Sequence, residues 1–138
     1  MISALKPIEK KLCLLSDSKS LLSLESWINS LCEEHSINAE LYGNILISLS
    51  EAVNNAIIHG NKNIIHKETL VKASFVKDVL VFNVTDQGEG FNFLDLPDPT
   101  HPENLEKPQG RGIFLMNHLS DNVVYKEPGN SVEISFKI

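Results

Sequence analysis

Glu51, Asn55 and His59 recur at four-residue intervals in "EAVNNAIIHGN", residues 51–61. Residues four apart share one face of a helix, so the three form a polar stripe. Ala52, Val53, Ala56 and Ile57 take the other side. A solvated helix surface accounts for such a stripe taken alone. The Asn54–Asn55 pair argues for more, because asparagine is a mediocre helix former that a solvated face has little reason to use. The side-chain oxygen of Asn55 is a hard ligand suited to Mg²⁺ beside bound phosphates. Glu51, one turn earlier, has the chemistry to orient or deprotonate a hydroxyl or water aimed at a terminal phosphoryl group. His59 is read as a structural hydrogen-bonder under a loop rather than a catalytic group.

Two glycine-bearing clusters lie further along. In "TDQGEGF", residues 85–91, a hydrophobic strand ends in Asp86, followed by Gly88 and Gly90. An aspartate there can accept a hydrogen bond from an exocyclic amine, and the glycines let the backbone approach a flat ring. In "QGRGIFLM", residues 109–116, Gly110 and Gly112 open a helix. Backbone N–H groups at a helix start, with the helix dipole behind them, suit a polyphosphate, and Arg111 adds a charge-assisted contact. Each cluster alone is also compatible with an ordinary tight turn or a glycine-bearing helix start.

The elements that must position these groups follow from periodicity. "IEKKLCLLS", 8–16, reads as a first strand. Ser18 to His35 carries Leu21, Leu24, Trp27, Ile28, Leu31 and Cys32 at helical spacing. A second helix starts near Asn38 as N-cap, runs through Leu41, Ile45, Leu49, Val53 and Ala56, and stops at Gly60. Residues 68–76 and 78–86 alternate as a hairpin turning near Lys77–Asp78. Residues 91–109 lose periodicity and hold Pro97, Pro99, Pro102 and Pro108. So long a loop in a small domain is usually functional. A helix from about Arg111 to Leu119 follows. A closing hairpin through Pro128–Gly129–Asn130 puts Val132, Ile134, Phe136 and Ile138 on one face. The order β-α-α-β-β-loop-α-β-β predicts one two-layer α+β domain over 1–138, its mixed, mostly antiparallel sheet covered by helices on one face.

Composition sets the outer bounds. The 138 residues are 42% hydrophobic and 22% charged, with mean hydropathy near zero. A net charge of −6 argues against direct nucleic-acid or anionic-membrane binding, while backbone amides can still hold phosphates. Cys13 and Cys32 lack metal-ligand spacing and read as buried thiols. The N-terminus does not read as a signal peptide, since proline and charges stand where an apolar core is expected, and no apolar run reaches membrane-spanning length. A cytoplasmic location is expected.

The three stretches "EAVNNAIIHGN", "DQGEGF" and "GRGIFLM" resemble the N, G1 and G2 boxes of the Bergerat-fold (GHKL) ATPases. Their order and spacing are similar to those of the small anti-sigma factor serine/threonine kinases. The resemblance implies ATP and Mg²⁺ as cofactors, Glu51 as general base and Asn55 as the Mg²⁺ ligand. It places Asp86 on the adenine amino group, with Gly88 and Gly90 shaping that pocket. Gly110, Arg111 and Gly112, with Ile113 and Phe114 after them, lie on the nucleotide beneath an ATP lid at about 92–109. His59 makes a structural or lid contact. Ser131 replaces the hydroxyl residue that usually helps bind adenine.

The same resemblance implies partners. The substrate is a serine or threonine of an anti-anti-sigma protein of the STAS fold, a sigma factor is sequestered, and the family tends to form homodimers. A lone domain leaves no room for the dimerising hairpin of a sensor histidine kinase. The first helix faces partners in that family; here it carries Lys19 but no arginine, and Glu25, Glu33 and Glu34 make it acidic. The alternative reading is a nucleotide-dependent protein-binding module without kinase activity.

Overall fold

The computed structural model describes residues 8–90 and 108–138, apart from the side chains of Ile8 and residues 108–111. The elements are β1 (Ile8–Leu15), α1 (Ser20–Glu34), α2 (Ala39–Asn55), a π-helical turn (Ala56–Gly60), β2 (Glu68–Val76), β3 (Val79–Thr85), α3 (Pro108–Leu119), β4 (Asn122–Lys126) and β5 (Ser131–Lys137). This is the order expected from periodicity. The lid expected at 92–109 falls outside the described residues as far as 107. Its last two positions, Pro108 and Gln109, belong to α3. Proline suits that first position because its fixed φ is already helical and its missing N–H would have had no partner.

The sheet has five strands in the order β1-β2-β3-β5-β4, and every pairing is antiparallel rather than mixed. Strand alternation sends Val71, Ala73, Leu80, Phe82, Val84, Val132, Ile134 and Phe136 to one face. There they meet Leu24, Ile28 and Leu31 of α1, Ile45, Leu49 and Val53 of α2, and Ile113 and Met116 of α3. The Phe82 and Phe136 rings meet edge to face at 6.0 Å, and Trp27 reaches Phe82 in the same way at 6.3 Å. Leu21 and Ile138, expected on the apolar faces, are 37% and 45% exposed because each lies at the rim of its element.

Alternation also corrects the reading of the thiols. Leu12 and Leu14 point inward along β1, so Cys13 points outward and is exposed, its Sγ donating to Glu68 Oε2 at 3.0 Å. Burial and the Glu68 carboxylate push the Cys13 thiol up, with the hydrogen bond to Glu68 the largest cause. Cys32 is buried, as expected.

Asn38 caps α2, its Oδ1 accepting from the N–H of Leu41 at 2.8 Å. At the other end, Gly60 is not a left-handed stop; the helix widens into the π-turn instead. The Asn61 N–H donates to Ala56 O at 2.7 Å, a bond five residues back. Such single π-turns recur at functional sites. This one ends α2 against the turn after β3, where the candidate site is built.

Candidate functional site

A cavity of about 200 Å³ opens between α2 with its π-turn, the end of β3, α3 and the β4–β5 hairpin. Asn55 and His59 line one wall from successive turns, so the wider π-turn keeps both on the same side. Ala52, Val84, Ile113, Met116 and Val132 supply an apolar wall. Asp86, Gly90, Asn130 and Ser131 close the far end, and Lys62 and Glu89 stand exposed at the rim. Tyr125 completes the lining; burial pushes its hydroxyl up to about 12, so it is neutral at physiological pH.

Asp86 is held by its neighbours' lack of side chains. Its Oδ1 accepts from the Gly88 N–H at 2.7 Å. A Cβ on Gly60 would strike the carboxylate itself, and one on Gly88 would strike the Gly60 carbonyl. Gly90 has φ +87° and would drive a Cβ into the Pro128 carbonyl. The three glycines thus bring the π-turn, the Asp86 turn and the β4–β5 turn into backbone contact. Burial raises the Asp86 carboxyl above its ordinary value, opposed by the Gly88 hydrogen bond and the Lys67 charge.

Glu51 lies beyond the cavity lining, turned to the facing helix. Its Oε2 would be 2.6 Å from a Cβ on Gly112, which is buried. Glycine at 112 is what admits the carboxylate between the helices. Gly112 is the fifth residue of α3 rather than its opening, so the free backbone N–H groups of the first turn belong to residues before it. Gly110 and Arg111 are in that turn; the Arg111 side chain lies outside the described residues.

Of two further expected ligand contacts, Ser131 lines the cavity and Phe114 is not among its described lining residues. Phe114 turns away from the cavity, its ring stacked on His118 at 5.5 Å one turn later. The Ser131 hydroxyl is 2.9 Å from that of Thr85, its partner across the strands. The residue that reaches Asp86 is Asn130. Its Nδ2 donates to the Asp86 carbonyl at 3.0 Å, while its own carbonyl accepts from the Asp86 N–H at 2.9 Å. In the sequence Asn130 reads only as a turn former, so its second use carries no local signal. Met116 was likewise indistinguishable from any core residue on a helix.

Comparison with known protein families matches residues 15–136 to the histidine kinase-like ATPase domain. The chain belongs to the histidine kinase-like ATPase family. Among individual relatives, it is 33% identical over 98 residues to the anti-sigma F factor of Clostridium perfringens, covering 67% of this chain and 69% of that protein. It is 31% identical over 83 residues to the serine-protein kinase RsbW of Bacillus cereus, 56% of this chain and 51% of the relative. Among solved structures, the RsbU and RsbW domains of Rv1364c from Mycobacterium tuberculosis align with TM-score 0.66 at 13% identity, over 94% of this chain and 31% of that one. The fold is therefore the Bergerat ATP-binding fold, and the relatives place the chain among anti-sigma ATPases and kinases. Such a domain binds nucleotide, and the cavity offers what that requires. Asp86 is a half-buried acceptor in a glycine-walled slot, and Asn55 brings a neutral side-chain oxygen to the cavity wall it shares with His59. No helix among the described residues is long and apolar enough to cross a membrane.

Proposed function

We propose that the protein is a Mg-ATP-dependent serine/threonine kinase acting as an anti-sigma factor, which phosphorylates a Ser or Thr of an anti-anti-sigma STAS protein and sequesters a sigma factor. The observation that supports it most is the seat of Glu51. Its carboxylate is admitted against Gly112 one turn before Asn55, which lines the cavity. A module that only binds nucleotide has no use for a carboxylate there.

Asp86 accepts from the adenine amine, and the apolar wall takes the ring. Asn55 would hold Mg²⁺ through its side-chain oxygen, and the ion supplies neutralising charge to the phosphates. A single amide ligand fits, because Mg²⁺ takes most of its shell from water and phosphate. Glu51 takes the proton of the incoming Ser or Thr hydroxyl. That oxygen bonds to the γ-phosphorus as the bond to the β,γ-bridging oxygen breaks, and ADP leaves.

The test combines capture of co-purifying proteins with a phosphotransfer assay on the captured partner. Glu51→Gln keeps the side chain's shape, so ATP binding and partner capture persist while phosphotransfer falls by about 10²- to 10⁴-fold. Asn55→Ala weakens nucleotide binding and turnover together. Full phosphorylation by Glu51→Gln would show that the glutamate is not the base and that its role is positional, whereas no phosphotransfer by wild type would leave the binding module as the better reading.

A further inference from the structure

Asn61 follows the π-turn and is completely buried, at 0% exposure. A buried carboxamide needs partners for every polar atom, and this one has them. Its Oδ1 accepts from the Gln87 N–H at 2.8 Å. Its Nδ2 faces the Glu68 carbonyl at 3.1 Å and the hydroxyls of Thr69 and Ser16 at 3.2 and 3.3 Å. The Ser16 hydroxyl donates onward to the Lys67 carbonyl at 2.8 Å, and the Gln87 side chain accepts from the Glu68 N–H at 2.7 Å. One side chain thus ties together the end of β1, the π-turn, the start of β2 and the turn after β3.

The position of these bonds matters more than their number. Asn61 is the residue after Gly60, whose Cα lies against the Asp86 carboxylate. Gln87, to which Asn61 binds, lies between Asp86 and Gly88, the donor to Asp86 Oδ1. Gly60 and Gly88 are themselves in backbone contact. Both walls of the slot that holds Asp86 therefore hang on one amide. Apart from the packing of the Asp86 carboxylate itself on Gly60, Asn61 supplies the side-chain hydrogen bond that ties the π-turn to Gln87.

We infer that Asn61 is a positioning residue for base recognition: it locks Gly60 to Gln87 so that Asp86 presents its remaining carboxylate oxygen to the exocyclic amine of a purine. The inference rests on the nucleotide-binding reading and adds a determinant of selectivity that touches no ligand. Loosening the lock lets the slot widen and water reach the carboxylate. Selectivity for the amine then falls, while contacts to sugar and phosphates remain.

Calorimetry with ATP and with inosine triphosphate, which has a carbonyl in place of the amine, reads this directly. Wild type is expected to favour ATP by about tenfold or more, the worth of a hydrogen bond to a charged acceptor. Asn61→Ser, checked for folding by circular dichroism, is expected to lose most of that preference, with inosine triphosphate affinity within about twofold of wild type. A merely structural residue would depress both ligands alike. A folded Asn61→Ser that keeps the full preference overturns the inference.

A second readout needs no nucleotide: carbon-13 NMR titration of the Asp86 carboxyl. In wild type it titrates above an ordinary aspartate, and in Asn61→Ser it returns toward the ordinary value as water enters. If wild type binds neither nucleotide, the kinase reading fails, and this titration still decides the role of Asn61; an unmoved Asp86 refutes it. Should Asn61→Ser not fold, Thr69→Val loosens the same lock by withdrawing one of the hydroxyls that hold the Asn61 amide, with the side chain's shape kept. A smaller shift of the same two readouts supports the inference, and no shift in either overturns it.

Discussion

Asp86 is under two opposing demands. Burial favours the neutral carboxyl, whereas acceptance of a hydrogen bond from an amine on a bound base needs the ionised one. Its raised folded value means that the favourable, neutral contribution is complete below the ordinary carboxylate range and is lost as pH rises through the folded value. Asp86→Asn should therefore gain stability relative to wild type between pH 4 and pH 7, read from melting curves at the two values. The same substitution should lose ATP. For Asp86→Ala, the missing hydrogen bond is worth roughly 1.5–3 kcal/mol, or about ten- to a hundredfold in affinity by calorimetry. Wild-type affinity should also fall on acidification sooner than an ordinary aspartate would dictate, and that dependence should vanish in Asp86→Ala. At Gly90 the consequence is for folding. Its φ of +87° and the Pro128 carbonyl leave no space for a side chain, so Gly90→Ala should cost about 1–3 kcal/mol in denaturant unfolding.

Among the elements, the π-turn does most to shape the site. It adds a residue to the turn between Ala56 and Asn61, so Asn61 bonds five residues back instead of four. Deleting the exposed Ile58 should restore an ordinary helical turn and swing Asn61 off Ser16, Thr69 and Gln87. Loss of ATP binding and a lower melting temperature are expected; a variant that retains both would show that the turn is incidental. This was also where sequence reasoning ran short. Alternation and helical spacing located every strand and helix, because each buries one face in a single core. A stripe at four-residue spacing looks the same whether the last turn is α or π, so Gly60 read as a stop. Asp86, Asn55 and Glu51 could be named as candidates because their chemistry is rare at such places, and the structure brings the first two to one cavity. Asn61 and Asn130 were not, since a polar residue beside a glycine reads as a turn until the fold shows what it touches. Phe114 shares a box with Ile113 and Met116, which line the cavity, while its own ring stacks on His118.

On the scale of the whole molecule, the described residues that line the cavity run from position 52 to 132, and among them none comes from β1 or α1. Those first two elements complete the sheet edge and cover the core, and α1 shows an acidic surface at Glu25 and Glu33. Reversing both charges should leave ATP affinity within about twofold, since exposed charges at this remove are screened by salt. Capture of the protein partner should change markedly in the same pull-down; unaltered capture would place the docking surface elsewhere. The division has a historical side. A duplicated copy of this gene could drift along its first 34 positions and acquire a new regulatory target while its phosphate chemistry stayed under separate selection. The hydrogen bond from Asn61 to Ser16 is one place where the two inheritances meet, and the one nearest the Asp86 slot. A lineage that rewired its targets would be expected to keep a small hydroxyl at position 16 long after the helix beside it had changed beyond recognition.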